Sequence, residues 1–128
     1  MAVLGIGIDL VEVSEAQRLL DRWGERLLKR VLTEPERSYI LRFAHPAKHL
    51  AVRLAAKEAV YKALQSIPGA RAVSWRDIEV ERSEAGRPSI RLHGDALGAA
   101  QRAGVVRISL SLSHTERTAG AVALAEGS

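Results

Sequence analysis

The sequence predicts one α+β domain over residues 1–128. Three observations carry that reading. The elements legible along the chain follow the mixed order β-ααα-ββ-α-ββ. One stretch, Leu50-Ala-Val-Arg-Leu-Ala-Ala-Lys-Glu-Ala-Val-Tyr-Lys-Ala-Leu64, reads as a helix apolar on nearly every side, the mark of a buried helix. Residues 75–81 and 106–113 alternate apolar and polar side chains, as half-buried strands do.

Residues 3–11 read as the first strand, with Leu4, Ile6, Ile8 and Leu10 on one face and Gly5, Gly7 and Asp9 on the other. The glycines strip bulk from the face that carries Asp9. Either a ligand or a tightly packed helix would explain that clearance. Ser14-Glu-Ala-Gln17 has the form of a capping box and opens a helix to about residue 31, with Leu19, Leu20, Trp23, Leu27 and Val31 as its inner stripe. The outer stripe holds Arg18, Arg22, Arg26, Lys29 and Arg30, tempered by Asp21 and Glu25. A solvated face is the default account of such charges, and a docking surface for an acidic helix is the alternative.

Thr33-Glu-Pro-Glu36 is a second capping box, with proline in the first turn of a short helix reaching about residue 43. His45-Pro46 breaks the chain before the long helix, 47–65, which Pro68-Gly69 ends. A strand at 75–81 turns through Glu84-Ala-Gly86-Arg-Pro88 into a strand at 89–92. Residues 95–102 form a short helix closed by Gly104. In the strand at 106–113, Ile108, Leu110 and Leu112 oppose Ser109, Ser111 and Ser113. A turn at 114–118 leads to a last strand at 119–125.

Composition narrows the function classes. Apolar residues make up 47% and charged residues 27%, an ordinary globular balance. No apolar run approaches the roughly 18 residues of a membrane span, so no membrane association is expected. The first residues lack a basic leader and cleavage site, and there is no cysteine for disulfide or thiolate chemistry, so a cytoplasmic protein is expected. The net charge of +4 points to an acidic or phosphorylated partner. Nucleic acid is not favoured, because the five aromatics form no stacking motif.

The motif Gly5-x-Gly7-x-x-Leu10 lacks the third glycine of a dinucleotide fingerprint, and no Walker loop occurs. Ser113 and His114 are neighbours on a strand and point to opposite faces, unlike a nucleophile and its base. His45 and His49 are separated by the helix start at Pro46, against a zinc site. A hard-metal site remains. Asp9 at a strand end and Glu58 on the long helix could share magnesium, which takes one or two carboxylates with phosphates and waters. Lys62 could meet a phosphate one turn on, with Arg53 and Lys57 adding charge nearby. For the helix alone, a plain Glu58–Lys62 pair is the simpler account.

Taken together these segments resemble the holo-acyl-carrier-protein synthase family of 4′-phosphopantetheinyl transferases, over almost the whole chain. Gly5-Ile-Gly-Ile-Asp-Leu-Val-Glu12 resembles the opening GIGIDIVE motif, and Arg53-Leu-Ala-Ala-Lys-Glu-Ala-Val-Tyr-Lys-Ala-Leu64 the RFAAKEA-x-x-KAL signature. Trp75-x-Asp77-Ile-Glu-Val80, Gly86-x-Pro88, Leu92-x-Gly94-x-Ala96 and Ser111-Leu-Ser-His-Thr115 follow in family order. Leu54, Tyr61 and Gln65-Ser-Ile67 depart from the family pattern.

The resemblance implies an antiparallel sheet packed against a long central helix, assembled as a homotrimer with active sites at subunit interfaces. It implies Mg2+-dependent transfer of phosphopantetheine from coenzyme A to a serine of apo-acyl-carrier protein, in fatty acid biosynthesis, with release of adenosine 3′,5′-bisphosphate. Asp9 and Glu58 would bind the metal and Lys62 the phosphates, with Glu58 or a metal-bound water as the base. Arg53, Gly86, Pro88, Ser113, His114 and Thr115 match positions lining the nucleotide part of coenzyme A, His114 near the 3′-phosphate. Arg18, Arg22 and Arg26 acquire a partner in the acidic helix of the carrier protein. With that partner, the docking account displaces the solvated face.

Overall fold

A computed structural model describes residues 2–68 and 73–128. The chain runs β1 (Ala2–Glu12), α1 (Val13–Trp23), α2 (Glu25–Val31), α3 (Glu34–Ile40), α4 (Pro46–Gln65), a 3₁₀ turn (Trp75–Asp77), β2 (Ile78–Arg82), β3 (Pro88–Leu92), α5 (Gly94–Arg102), β4 (Val105–His114) and β5 (Thr118–Gly127). The mixed α+β order is as expected from the sequence. Among the described residues two antiparallel sheets form: β1-β5-β4, and the β2-β3 hairpin.

α4 lies across the three-stranded sheet, and the sequence of β1 explains how closely. Gly5, Gly7 and Asp9 pair with Ala125, Ala123 and Ala121 of β5, so along β1 and β5 the helix-facing side carries little side-chain bulk besides Asp9. A Cβ built on Gly7 would stand 1.9 Å from the Ala59 carbonyl oxygen, and one on Gly5 2.0 Å from that of Ala63. The clearance around Asp9 therefore belongs to a helix contact. Ala51, Ala55, Ala56, Ala59 and Ala63 complete the small-residue interface.

Two consequences follow for burial. The apolar sides of α4 are covered mostly by the rest of the chain, with Leu50, Val52, Val60 and Leu64 all buried. The uncovered apolar surface lies instead on the other side of the sheet, where Ile6, Ile8 and Leu10 are 61%, 62% and 70% exposed beside Val122. On β4, Ile108, Leu110 and Leu112 share the helix-facing side with Ala125, Ala123 and Ala121, and Ser109, Ser111 and Ser113 face outward, as the alternation requires.

Four local expectations need correction. The helix predicted to reach residue 31 breaks at Gly24, whose φ of 53° and ψ of −133° leave the helical region, and α2 starts afresh. Ser14 forms no cap. The helix follows β1 directly with Glu12 as its extended N-cap, and the Val13 N–H donates to the Arg117 carbonyl (2.8 Å). The segment predicted as strand from Trp75 begins as a 3₁₀ turn, with strand pairing only from Ile78. The third helix stops at Ile40, before Phe43. By contrast the Thr33–Glu36 capping box is complete in both directions. Gly69 of the predicted Pro68-Gly69 stop lies outside the described residues.

Candidate active site

β1 brings Asp9 to the flank of α4. Asp9 and Glu58 line one cleft of about 320 Å³, together with Glu15 and Leu19 of α1, Leu10, Val11, Leu54 and Trp75. Lys62 stands at its edge, with Nζ donating to Asp9 Oδ1 (3.2 Å) and to the Ile8 carbonyl (3.1 Å). Its ion pair is thus with the strand. The Glu58 carboxylate has no hydrogen-bond or ion-pair partner among the described residues, so the simple Glu58–Lys62 pair is not formed. Lys57 is also not where charge was expected: it is fully buried and bonded to Glu36, 2.8 Å away.

The donor set suits a hard cation. Two carboxylates facing one cleft, one of them unengaged, are what magnesium takes from a protein. No group of three or more acidic, histidine or cysteine side chains gathers elsewhere as a fuller metal site among the described residues. The remaining ligands would come from phosphate oxygens and water.

Arg53 points the other way. Five residues before Glu58, it lies about 140° around the helix. It is buried, its guanidinium 4.4 Å over the Tyr39 ring, and its Nε has no acceptor among the described residues. Burial pulls its pKa below the ordinary arginine value, and Arg82 adds to this against Glu36 and Tyr39. Arg42 and Arg82 approach the same ring at 5.7 and 5.8 Å. His49 stacks on Phe43 (3.8 Å). Burial lowers the His49 imidazole, and the charges of Arg53, Arg82, Lys48 and His114 lower it further. Such a concentration of cations around an incompletely bonded guanidinium suits a phosphorylated ligand.

Of the other expected residues, His114 and Gly86 stand near this second patch, through His49 and Arg82 respectively. His114 lies on the helix-facing side of β4, opposite Ala119. Gly86 makes the hairpin turn with φ 79°, and its carbonyl accepts from Arg82 Nη1 (3.3 Å); Pro88 opens β3. Thr115 Oγ1 accepts the Arg117 and Thr118 N–H groups in the β4–β5 turn, and Ser113 faces outward opposite Gly120. Within this chain, the Asp9–Glu58 cleft and the Arg53 patch occupy opposite flanks of α4. Sequence reading missed Glu15 and Trp75 in the first, and Tyr39, Arg82 and His49 in the second. None sits in a pattern distinct from ordinary helix or strand chemistry.

Arg18 and Arg22 line a shallow groove with Glu15, Leu19, Asp21 and Trp23, and Arg26 lines a second with Leu19, Trp23, Leu27 and Arg30. The break at Gly24 places Arg26 on a separate helix, so the arginines are not one straight stripe. Glu15 and Leu19 belong to both the first groove and the Asp9–Glu58 cleft.

An α+β chain with a carboxylate cleft on one flank of its central helix and a basic patch on the other has counterparts among known proteins. It belongs to the 4′-phosphopantetheinyl transferase superfamily, whose profile matches residues 5–123, and there to the holo-[acyl-carrier-protein] synthase type of transferase. It is 46% identical over 126 residues to the holo-[acyl-carrier-protein] synthase of Moorella thermoacetica, covering 98% of this chain and 96% of that one. The crystal structure of holo-[acyl-carrier-protein] synthase from Neisseria meningitidis superposes with TM-score 0.84 at 34% identity, covering 98% and 99% of the two chains. A coenzyme A complex of the Chronobacterium ammoniagenes enzyme gives TM-score 0.84 at 29% identity, covering 100% and 99%.

Proposed function

We propose that this chain transfers 4′-phosphopantetheine from coenzyme A to a serine hydroxyl of apo-acyl-carrier protein. The observation that carries the reading is the single cleft lined by both Asp9 and an unpaired Glu58, with Lys62 bonded to Asp9. Asp9 and Glu58 would hold Mg2+, which when bound neutralises pyrophosphate charge. Lys62 binds the same phosphates, a contact that strengthens as charge develops on the leaving oxygen. The serine Oγ forms a bond to the pantetheine-side phosphorus, the bond to the bridging oxygen breaks, and adenosine 3′,5′-bisphosphate departs. The hydroxyl proton is taken by a base in the cleft, for which the carboxylate of Glu58 is the protein's own candidate.

The nucleotide end of coenzyme A falls to Arg53, His114 and their neighbours. Because that patch and the cleft lie on opposite flanks of α4, one ligand is best shared between two copies of the chain. The outward face of Ile6, Ile8, Leu10 and Val122 is apolar enough to hold copies together, and a homotrimer follows from the family resemblance. Arg18, Arg22 and Arg26 receive the acidic carrier helix, guiding its serine into the adjoining cleft. On the same resemblance we assign the reaction to fatty acid biosynthesis in the cytoplasm. No helix among the described residues is long and apolar enough to cross a membrane.

The test is incubation with coenzyme A, Mg2+ and apo-acyl-carrier protein, read by intact mass. A carrier gain of one phosphopantetheine arm is expected, with at least about a hundredfold loss of rate for Glu58→Gln at unchanged thermal stability. No gain with a competent carrier overturns the reading.

A further inference from the structure

Lys57 is fully buried, a costly place for an ammonium. All three of its donors are used: on Glu36 Oε1 (2.8 Å), on the Trp75 carbonyl (3.0 Å) and on the Ile78 carbonyl. Glu36 is as fully engaged. Its Oε1 also accepts the Thr33 N–H (2.9 Å), and Oε2 accepts the Val80 N–H (3.0 Å). One ion pair thus ties α4 to the start of α3, the 3₁₀ turn and β2.

A buried pair of this kind gives little net stability over apolar side chains of similar size, so its geometry is the informative part. What it fixes is the backbone of Trp75. The Trp75 ring stacks on Tyr61 of α4 (centroids 6.3 Å, planes 22° apart) and, with Leu54, walls the cleft that Glu58 lines. Lys57 and Glu58 are consecutive, about 100° apart on the helix. The same turn of α4 that presents Glu58 to the cleft therefore grips the opposite wall from behind.

From this we infer that Lys57 and Glu36 are positioning residues: through the Trp75 carbonyl they set the placement of the Trp75 wall relative to Glu58. The inference rests on the cleft being the reaction site. A wall that drifts by about 1 Å leaves reactants bound but poorly aligned, which lowers turnover more than affinity.

The experiment uses Lys57→Met combined with Glu36→Gln, which removes both charges while retaining an acceptor for one of the two N–H groups. Trp23→Phe serves as the background, leaving Trp75 the single tryptophan. Trp75 should become about twofold more quenchable by acrylamide. In the otherwise unaltered enzyme, kcat should fall about tenfold or more while KM for coenzyme A changes less than about threefold. Unchanged quenching in a folded variant, or equal changes in kcat and KM, overturns the inference. Should the double variant not fold, Trp75→Leu decides: it keeps the ion pair, and kcat loss at constant KM supports the role while wild-type kcat refutes it. If the parent enzyme transfers nothing, the transferase reading fails, and quenching still reports whether the ion pair holds Trp75.

Discussion

Replacing Gly7 with alanine adds one methyl group at the point where β1 touches α4. The new Cβ would lie 1.9 Å from the Ala59 carbonyl oxygen, 2.9 Å from its carbon and 2.8 Å from the Ala63 nitrogen, all of them backbone atoms. No rotamer relieves the contact. Ordinary carbon contacts begin near 3.5 Å, so strand and helix must part by about 1.5 Å. Overpacking of this kind costs about 1–3 kcal/mol, and the backbone character of the clash favours the upper end. At about 3–5 °C per kcal/mol for 128 residues, the melting temperature should fall by about 6–15 °C. The same displacement separates Lys62 from the Ile8 carbonyl and from Asp9, now 3.1 and 3.2 Å away. Transfer should then drop about a hundredfold in the molecules that remain folded, since the Asp9–Glu58 spacing opens with it. Thermal unfolding and carrier-mass kinetics below the variant's melting temperature give the two readings separately. Wild-type stability in Gly7→Ala would refute the packing argument. Lost stability with full activity would refute the link between this contact and the cleft.

Three further outcomes follow from the geometry. Charge reversal at Arg18 and Arg22 should raise KM for the carrier protein at least about tenfold more than KM for coenzyme A and reduce the salt dependence of carrier binding; equal effects on both would remove the docking groove. Ile8→Asp, at a 62% exposed position facing away from α4, should leave the monomer fold intact but dissociate the proposed homo-oligomer by sedimentation and lower activity with it. An unaltered oligomer would exclude this face as the interface. Burial raises the Glu79 carboxyl, but hydrogen bonds from Thr33 and His93, with the His93 and Arg91 charges, outweigh it and hold the folded pKa below the ordinary 4.5. Ionised Glu79 therefore contributes stability above about pH 4.5 that fades as pH falls through its lower folded value. Glu79→Gln should be less stable than wild type at neutral pH, with the gap closing below pH 4.5; parallel melting curves across that range would contradict it.

Much of the fold was legible because its signals are local. The Thr33–Glu36 capping box, Pro46 at the start of α4 and the alternation of β4 each operate within a few residues, and α4 and β4 stand within a residue of expectation. The pairing of Asp9 with Glu58 was legible as chemistry, two carboxylates with a lysine one turn on, and the family resemblance gave them a substrate. Gly24 was less readable: a glycine is tolerated in a helix, and only its dihedral angles show that the helix ends there. Ser14 looked like a cap, but β1 runs into the helix with no room for one.

Tertiary structure decided the rest, because it depends on what faces each side chain across many residues of separation. Lys62 chose Asp9, distant in sequence, over Glu58 one turn away. Lys57, alike in composition to Arg53 and Lys62, became a buried tether because Glu36 and two carbonyls enclose it. The apolar side of β1 lies open because the glycine side is the one α4 can approach. The sequence by itself marked the groups proposed to do the chemistry. Their partners, and the flank of α4 each one serves, were set by packing.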